Sequence, residues 1–270
     1  GDARYDWQGW LPDARHPQQT NPPSGQLVSW NDKQAPGFAA ADDQWGYGPV
    51  HRSQPLADRV AHVSTLPELV AAVQDAATVD TRAERVLPAL LDALGEVSAD
   101  DPLLTAAVAL LRDWSGHRED RDRDGTYTDA AAIALFDQWW AGGVARDVLR
   151  GTLGTLADEL PMALDVHPNL GVGSAFSAAA WYGYVAEDLA GSSWHRRYCG
   201  DGDPTVCTGQ LRASLTDAIR RALVGGTEPA ALTYDKSTDA IRPVSAGLVA
   251  TRPIDWQNRP TFQQVVRFHS

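Results

Sequence analysis

The stretch Asn21-Pro-Pro-Ser-Gly-Gln-Leu-Val-Ser-Trp-Asn-Asp32 decides how the rest of the chain is read. Pro22-Pro23 and Ser24-Gly25 supply fixed and permissive backbone angles in succession, which predicts a tight turn. Gln26 to Trp30 then reads as a short strand leaving that turn. A turn feeding a strand sets this region apart, because the chain that follows has a helical texture. The expected class is therefore α+β, predominantly α-helical, with this segment contributing a strand.

Outward from this stretch, the 270 residues divide into three textures. Residues 1–53 are rich in Trp, Pro, Gly and Asn and weak in helical periodicity. Residues 54–239 form the helical region, most of it rich in Ala and Leu. There Asp101-Pro102 opens one helix, with Leu103, Leu104, Val108, Leu110 and Leu111 on its apolar face. Thr128 or Asp129 caps the next, where Ile133, Phe136, Trp139 and Trp140 recur at helical spacing. Leu211, Leu215, Ile219 and Leu223 repeat every fourth residue in the last long helix, which Gly225-Gly226 end. In residues 240–270 the period changes again. Val244, Leu248 and Val249, then Phe262, Val265, Val266 and Phe268, predict strands returning to the sheet.

Composition excludes some functions. Hydrophobic residues make up 43% and charged residues 21%, enough apolar material for a sizeable core. The 23 Lys and Arg are outnumbered by 35 Asp and Glu, for a net charge of −12. That argues against nucleic-acid and anionic-membrane partners, both of which need a basic surface. The longest charge-free run, Val166 to Ala186, is too polar and too broken by glycine to span a bilayer. The first ten residues lack the basic and apolar regions of a signal peptide. Cys199 and Cys207 bracket CGDGDPTVC, read as a polar loop with no room for helix but short enough to close a disulfide. A disulfide implies an oxidising compartment, so a secreted or periplasmic setting is expected.

Four motifs in order carry a family resemblance. They are DWQGWLP (Asp6 to Pro12), NPPSG (Asn21 to Gly25), LVSWND (Leu27 to Asp32) and GPVHR (Gly48 to Arg52). Together they resemble the β-chain of the penicillin acylases, a family of N-terminal-nucleophile amidohydrolases. The resemblance is dense over residues 5–53 and diffuse through the helices, where Trp114-Ser-Gly and Leu135-Phe136…Trp139 fit. It implies an αββα sandwich with helical insertions, of which this chain is an interior part. It also implies a serine exposed as a new N-terminus, whose hydroxyl attacks an amide carbonyl while its own α-amine accepts the proton. An α-amine suits that task because its pKa of about 8 leaves a neutral fraction at working pH.

The resemblance maps the oxyanion-hole donor onto Asn31, the active-site arginine onto Arg52 and a substrate-binding aromatic onto Trp30. An Asn amide offers N–H donors without a titrating charge. The permanent charge of Arg52 would orient Asn31 or attract a substrate carboxylate. Where the family often has a second Asn, this chain has Asp32, whose carboxylate is expected to face away from the oxyanion. Gly1 has no side-chain nucleophile, so the serine is expected upstream and the isolated chain is expected to be inactive. The implied partners are the remaining α- and β-chain segments of the same precursor and a small N-acylated substrate.

Metal signals are two. Asp42 aligns with a calcium-ligating aspartate of the family. Asp120, Asp122 and Asp124 with Gly125 match the early positions of an EF-hand loop, but its twelfth position is Ala131 where a bidentate Glu is required. Calcium is thus the one cofactor considered, with no organic cofactor expected. The seven histidines show no HxxxH or HExxH spacing, which argues against zinc. A reading from another class stays open: a non-enzymatic, Trp-rich helical binding module, stabilised by calcium.

Overall fold

The computed structural model describes residues 6, 9–30, 32–35, 38, 50–159, 180–191, 196–223, 228–242, 247, 252–258 and 266, with backbone alone at 50–52 and 180–181. Most of these residues are helical. The α-helices are α1 (Val50–Val60), α2 (Leu66–Thr78), α3 (Thr81–Arg85), α4 (Leu87–Leu94), α5 (Pro102–Asp113), α6 (Ala130–Ala141), α7 (Val144–Leu153), α8 (Leu156–Glu159), α9 (Ala180–Ala190) and α10 (Pro204–Ala222).

Side-chain oxygens open several of them, satisfying N–H groups that have no partner within the helix. Thr65 and Glu68 form a reciprocal capping box on α2, with Glu68 accepting the Thr65 N–H at 2.9 Å. Asp101 accepts the Leu104 N–H at 3.0 Å ahead of Pro102, as the sequence predicted for α5. Asp203 accepts from Thr205 and Val206 ahead of Pro204 in α10. Asp129 does precede α6, but its carboxylate accepts the Ser115 hydroxyl at 2.7 Å instead of capping the helix.

The core is centred on α6, whose Ile133, Leu135, Phe136, Trp139 and Trp140 are all buried. α10 lies against it, and Trp139 donates its indole N–H to the Ser214 hydroxyl at 2.8 Å. The predicted repeat Leu211, Leu215 and Ile219 is buried on the same side, with Leu223 partly so. α4 packs on α10 through Leu90 and Leu94, and Arg212 of α10 reaches over to the α4 C-terminus. Its guanidinium donates to the Leu94 carbonyl at 2.8 Å and to the Glu96 carbonyl at 2.6 Å. A cation placed there satisfies carbonyls that have no helical partner and opposes the negative end of the helix dipole.

Two expectations are corrected by the geometry. Among the described residues, 26–29 carry no strand, so the predicted Gln26–Trp30 strand has no ladder there. Local bonds compete with a ladder at both ends of it: the Ser24 hydroxyl donates to the Gln26 carbonyl, and the Trp30 N–H goes to the Asp32 carboxylate. Of the predicted C-terminal strands, most residues lie outside the described set. Within it there is a single antiparallel bridge, Ile241 to Ile254.

The second correction concerns the cysteine loop. The Cys199–Cys207 disulfide is closed, with Cα atoms 5.1 Å apart, but the bracketed residues are not helix-free. Residues 199–202 make a 3-10 turn and Cys207 sits in the first turn of α10, because Asp203 and Pro204 form a helix start. Gly200, at φ +65°, lies so close to the Cys207 backbone that an added Cβ would meet its nitrogen at 2.5 Å. Asp188, fully buried at the end of α9, accepts the Tyr198 and Cys199 N–H groups at 2.6 and 3.0 Å. No helix among the described residues is long and apolar enough to cross a membrane.

Candidate active-site segment and its supports

The two segments expected to carry the site lie side by side. Gln26 to Ser29, which leads to Trp30, lines one groove together with Leu56 and Val60 of α1, Val63, and Leu69 and Val73 of α2. The groove encloses about 350 Å³. Arg52 is the third residue of α1, one turn before Leu56, so its backbone stands at the N-terminal end of a helix that borders this groove. Trp30 is half-buried, and its N–H donates to Asp32 Oδ1 at 2.9 Å. The Asp32 carboxylate is thus engaged on the backbone of its own turn. Asn31 and Asp42 lie outside the described residues, and of Arg52 only the backbone is described.

α1 is fastened to its neighbours by charge. Arg59, largely buried, donates Nε to Asp75 of α2, pairs with Glu84 of α3 at 2.8 Å, and donates to the Pro55 carbonyl at 3.2 Å. Gln54 accepts from Arg85 of α3 at 3.0 Å. Asp75 in turn faces His117 at 3.5 Å, and that ring is held by the Thr78 hydroxyl at 3.0 Å.

Asp120, Asp122 and Asp124 come together as the spacing suggested. Their carboxylate oxygens lie within 4.8 Å of one another, a group that could hold a metal ion. However, the Lys236 ammonium sits 2.6 Å from Asp120 Oδ2, and its hydrogen bond lowers the pKa of that carboxyl. The other Asp120 oxygen and Asp124 Oδ1 accept backbone N–H groups of Asp124 and Thr126. With a lysine already supplying the countercharge and Ala131 at the twelfth position, the donor set falls short of the six to eight oxygens calcium takes. The arrangement fits a lysine-neutralised loop better than a calcium site.

What sequence reasoning missed is a buried ion cluster beneath these loops. The side chains of Arg82 and Arg118 are at most 1% exposed and meet three buried carboxylates, Asp80, Asp137 and Asp239. Arg82 contacts Asp80 at 2.5 Å and Asp137 at 2.7 Å. Arg118 contacts Asp80 at 3.1 Å, Asp137 at 2.5 Å and Asp239 at 2.8 Å. The Tyr127 and Tyr234 hydroxyls donate to Asp239 at 3.0 and 2.7 Å. Aromatic faces close the cluster, Phe136 and Trp140 against Arg82, Tyr234 and Trp256 against Arg118.

Burial alone would raise the Asp80 pKa, but Arg82 and Arg118 hold it well below the ordinary carboxylate range. Tyr127 moves the other way, raised by burial and then by the Asp239 charge. One cue was legible: Asp137 interrupts the apolar helix IALFDQWW, where a charge demands a partner. The cluster ties the start of α3, α6, the Arg118 loop and the residue 234–239 segment into one body.

The comparisons agree with the motifs. Residues 1–261 match the sequence model of the penicillin amidase family. The fold resembles that of a thermostable penicillin G acylase from Alcaligenes faecalis, with a TM-score of 0.58 and 22% identity over 80% of this chain. This chain spans about two fifths of that one, since 39% of the acylase is covered. With a match that runs almost from end to end, the chain belongs to the penicillin amidase family.

Proposed function

We propose that this chain is the β-chain portion of an N-acyl amide hydrolase, working with α- and β-chain segments of the same precursor. The observation that carries the reading is the ordered set of four motifs over Asp6 to Arg52, inside a family match covering residues 1–261. The substrate class is a small amide with an acyl group on nitrogen, as in a penicillin, an acyl-homoserine lactone or a lipopeptide. The attacking serine lies in another segment, and its α-amine takes the hydroxyl proton as the C–O bond forms. Negative charge then develops on the carbonyl oxygen, which Asn31 stabilises through its amide N–H. Arg52 orients that amide or attracts a substrate carboxylate, and Trp30 offers an apolar face to the substrate. Asp42 gives one carboxylate to a calcium site completed by the other segments. Such an enzyme is secreted or periplasmic.

Two observations weigh against the rival reading as a Trp-rich binding module. Trp114, Trp139, Trp140 and Trp256 are buried in the core, and Lys236 occupies the acidic loop. The test is Asn31→Ala in the assembled enzyme. Loss of an oxyanion donor lowers kcat by roughly a hundredfold or more while thermal unfolding stays near that of the parent. Undiminished hydrolysis of a chromogenic N-acyl anilide would defeat the assignment.

A further inference from the structure

α1 is weakly tied to itself where Arg52 stands. Its first N–H groups have no helical acceptor, and Pro55 cannot donate to the carbonyl of residue 51. The orientation of that first turn must therefore come from side chains that grip the helix from outside. Arg59 is seven residues after Arg52, so the two Cα atoms lie on one stripe of the helix two turns apart. Its guanidinium reaches α2 through Asp75, α3 through Glu84, and the Pro55 carbonyl of α1 itself. The two outward contacts hold α1 against α2 and α3, while the bond to Pro55 braces the Arg59 side chain on its own helix.

We propose that Arg59 is a positioning residue for Arg52, acting through the α1 backbone on the geometry of amide hydrolysis. The inference rests on Arg52 having an active-site role. A displacement of about 1 Å in a catalytic constellation costs up to about a hundredfold in rate. Losing the clamp should therefore lower kcat/KM well beyond what the loss of these partly exposed ion pairs does to folding.

The experiment is a double-mutant cycle in the full processed enzyme, using Arg52→Lys and Arg59→Met with a chromogenic N-acyl anilide. Each single variant is expected to lower kcat/KM by roughly tenfold or more, and the double variant to be within about threefold of Arg52→Lys alone. Arg59→Lys is expected to recover part of the loss. A merely structural Arg59 would instead give multiplicative losses, and that outcome overturns the proposal. So does full activity of Arg59→Met beside an impaired Arg52→Lys. If Arg52→Lys itself is fully active, the reading of Arg52 falls, and the positioning role falls with it. Should Arg59→Met fail to assemble, Asp75→Asn and Glu84→Gln each remove one arm of the clamp and enter the same cycle.

Discussion

Arg118→Met tests whether the buried ion cluster holds the helical body together. Arg118 pairs with Asp239 and shares Asp80 and Asp137 with Arg82. Methionine fills much of the volume but leaves Asp80 and Asp137 to Arg82 alone and removes the guanidinium that pairs with Asp239. Removing one partner of a buried ion pair typically costs about 3–5 kcal/mol. For 270 residues the unfolding entropy is about 0.6 kcal/mol/K, so the melting temperature should fall by about 5–9 °C.

The loss should depend on pH in a defined direction. In the parent, the depressed Asp80 pKa contributes stability that is present above about pH 4 and is lost as pH falls below it. In the variant, burial still pushes the Asp80 pKa up while one of its two guanidiniums is gone, so acid relieves part of the cost. The deficit should be largest near neutral pH and shrink toward about pH 4. Calorimetry at several pH values measures it, and Trp256, whose ring lies 5.6 Å from the Arg118 guanidinium carbon, reports locally by fluorescence. A melting temperature within about 2 °C of the parent, or a deficit indifferent to pH, would refute the reasoning.

Two further substitutions probe how the helices are joined. Gly151→Ala in α7 would place a Cβ 2.2 Å from the Tyr198 carbonyl and 2.7 Å from the Asp201 nitrogen. Despite a gain in helix propensity of about 1 kcal/mol, it should destabilise by about 1–3 kcal/mol in urea titration, and a stabilised variant would mean that α7 does not pack on the disulfide turn. Arg212→Met removes the donors to Leu94 and Glu96, so a loss of about 1.5–3 kcal/mol is expected, with part recovered by Arg212→Lys. An unchanged unfolding midpoint would show those carbonyls to be served by water.

Much of the helical body was legible because its signals are local. Asp101-Pro102 is a cap and a first-turn residue in adjacent positions, and the repeat of Leu211, Leu215 and Ile219 at every fourth residue has a single helical reading. The strand expected at Gln26–Trp30, which has no ladder among the described residues, was less legible for the opposite reason. An extended run becomes a strand only when another segment pairs with it, and that partner is not encoded in the run. Cys199–Cys207 shows both outcomes at once. Nearness followed from the spacing, whereas the helix start at Asp203-Pro204 was hidden by a glycine-rich text that reads as loop. The ion cluster was the least legible, because Arg118 and Asp239 lie 121 residues apart on segments without periodicity.

α3 links that hidden cluster to the expected site. It has five residues, too few to be stable as a helix unless held by its surroundings. Its first turn is held by Asp80 and Arg82 inside the cluster, and its last turn presents Glu84 and Arg85 to α1. The rigidity that reaches Arg59, and through α1 the backbone of Arg52, is therefore set by buried charges within α6 and the Arg118 loop. A helix so short would transmit little if it were only packed by apolar contact, since such contacts are non-directional. Charge-assisted hydrogen bonds with defined angles hold it in one orientation, and this accounts for a costly set of buried ions in a body otherwise built from leucine, alanine and tryptophan.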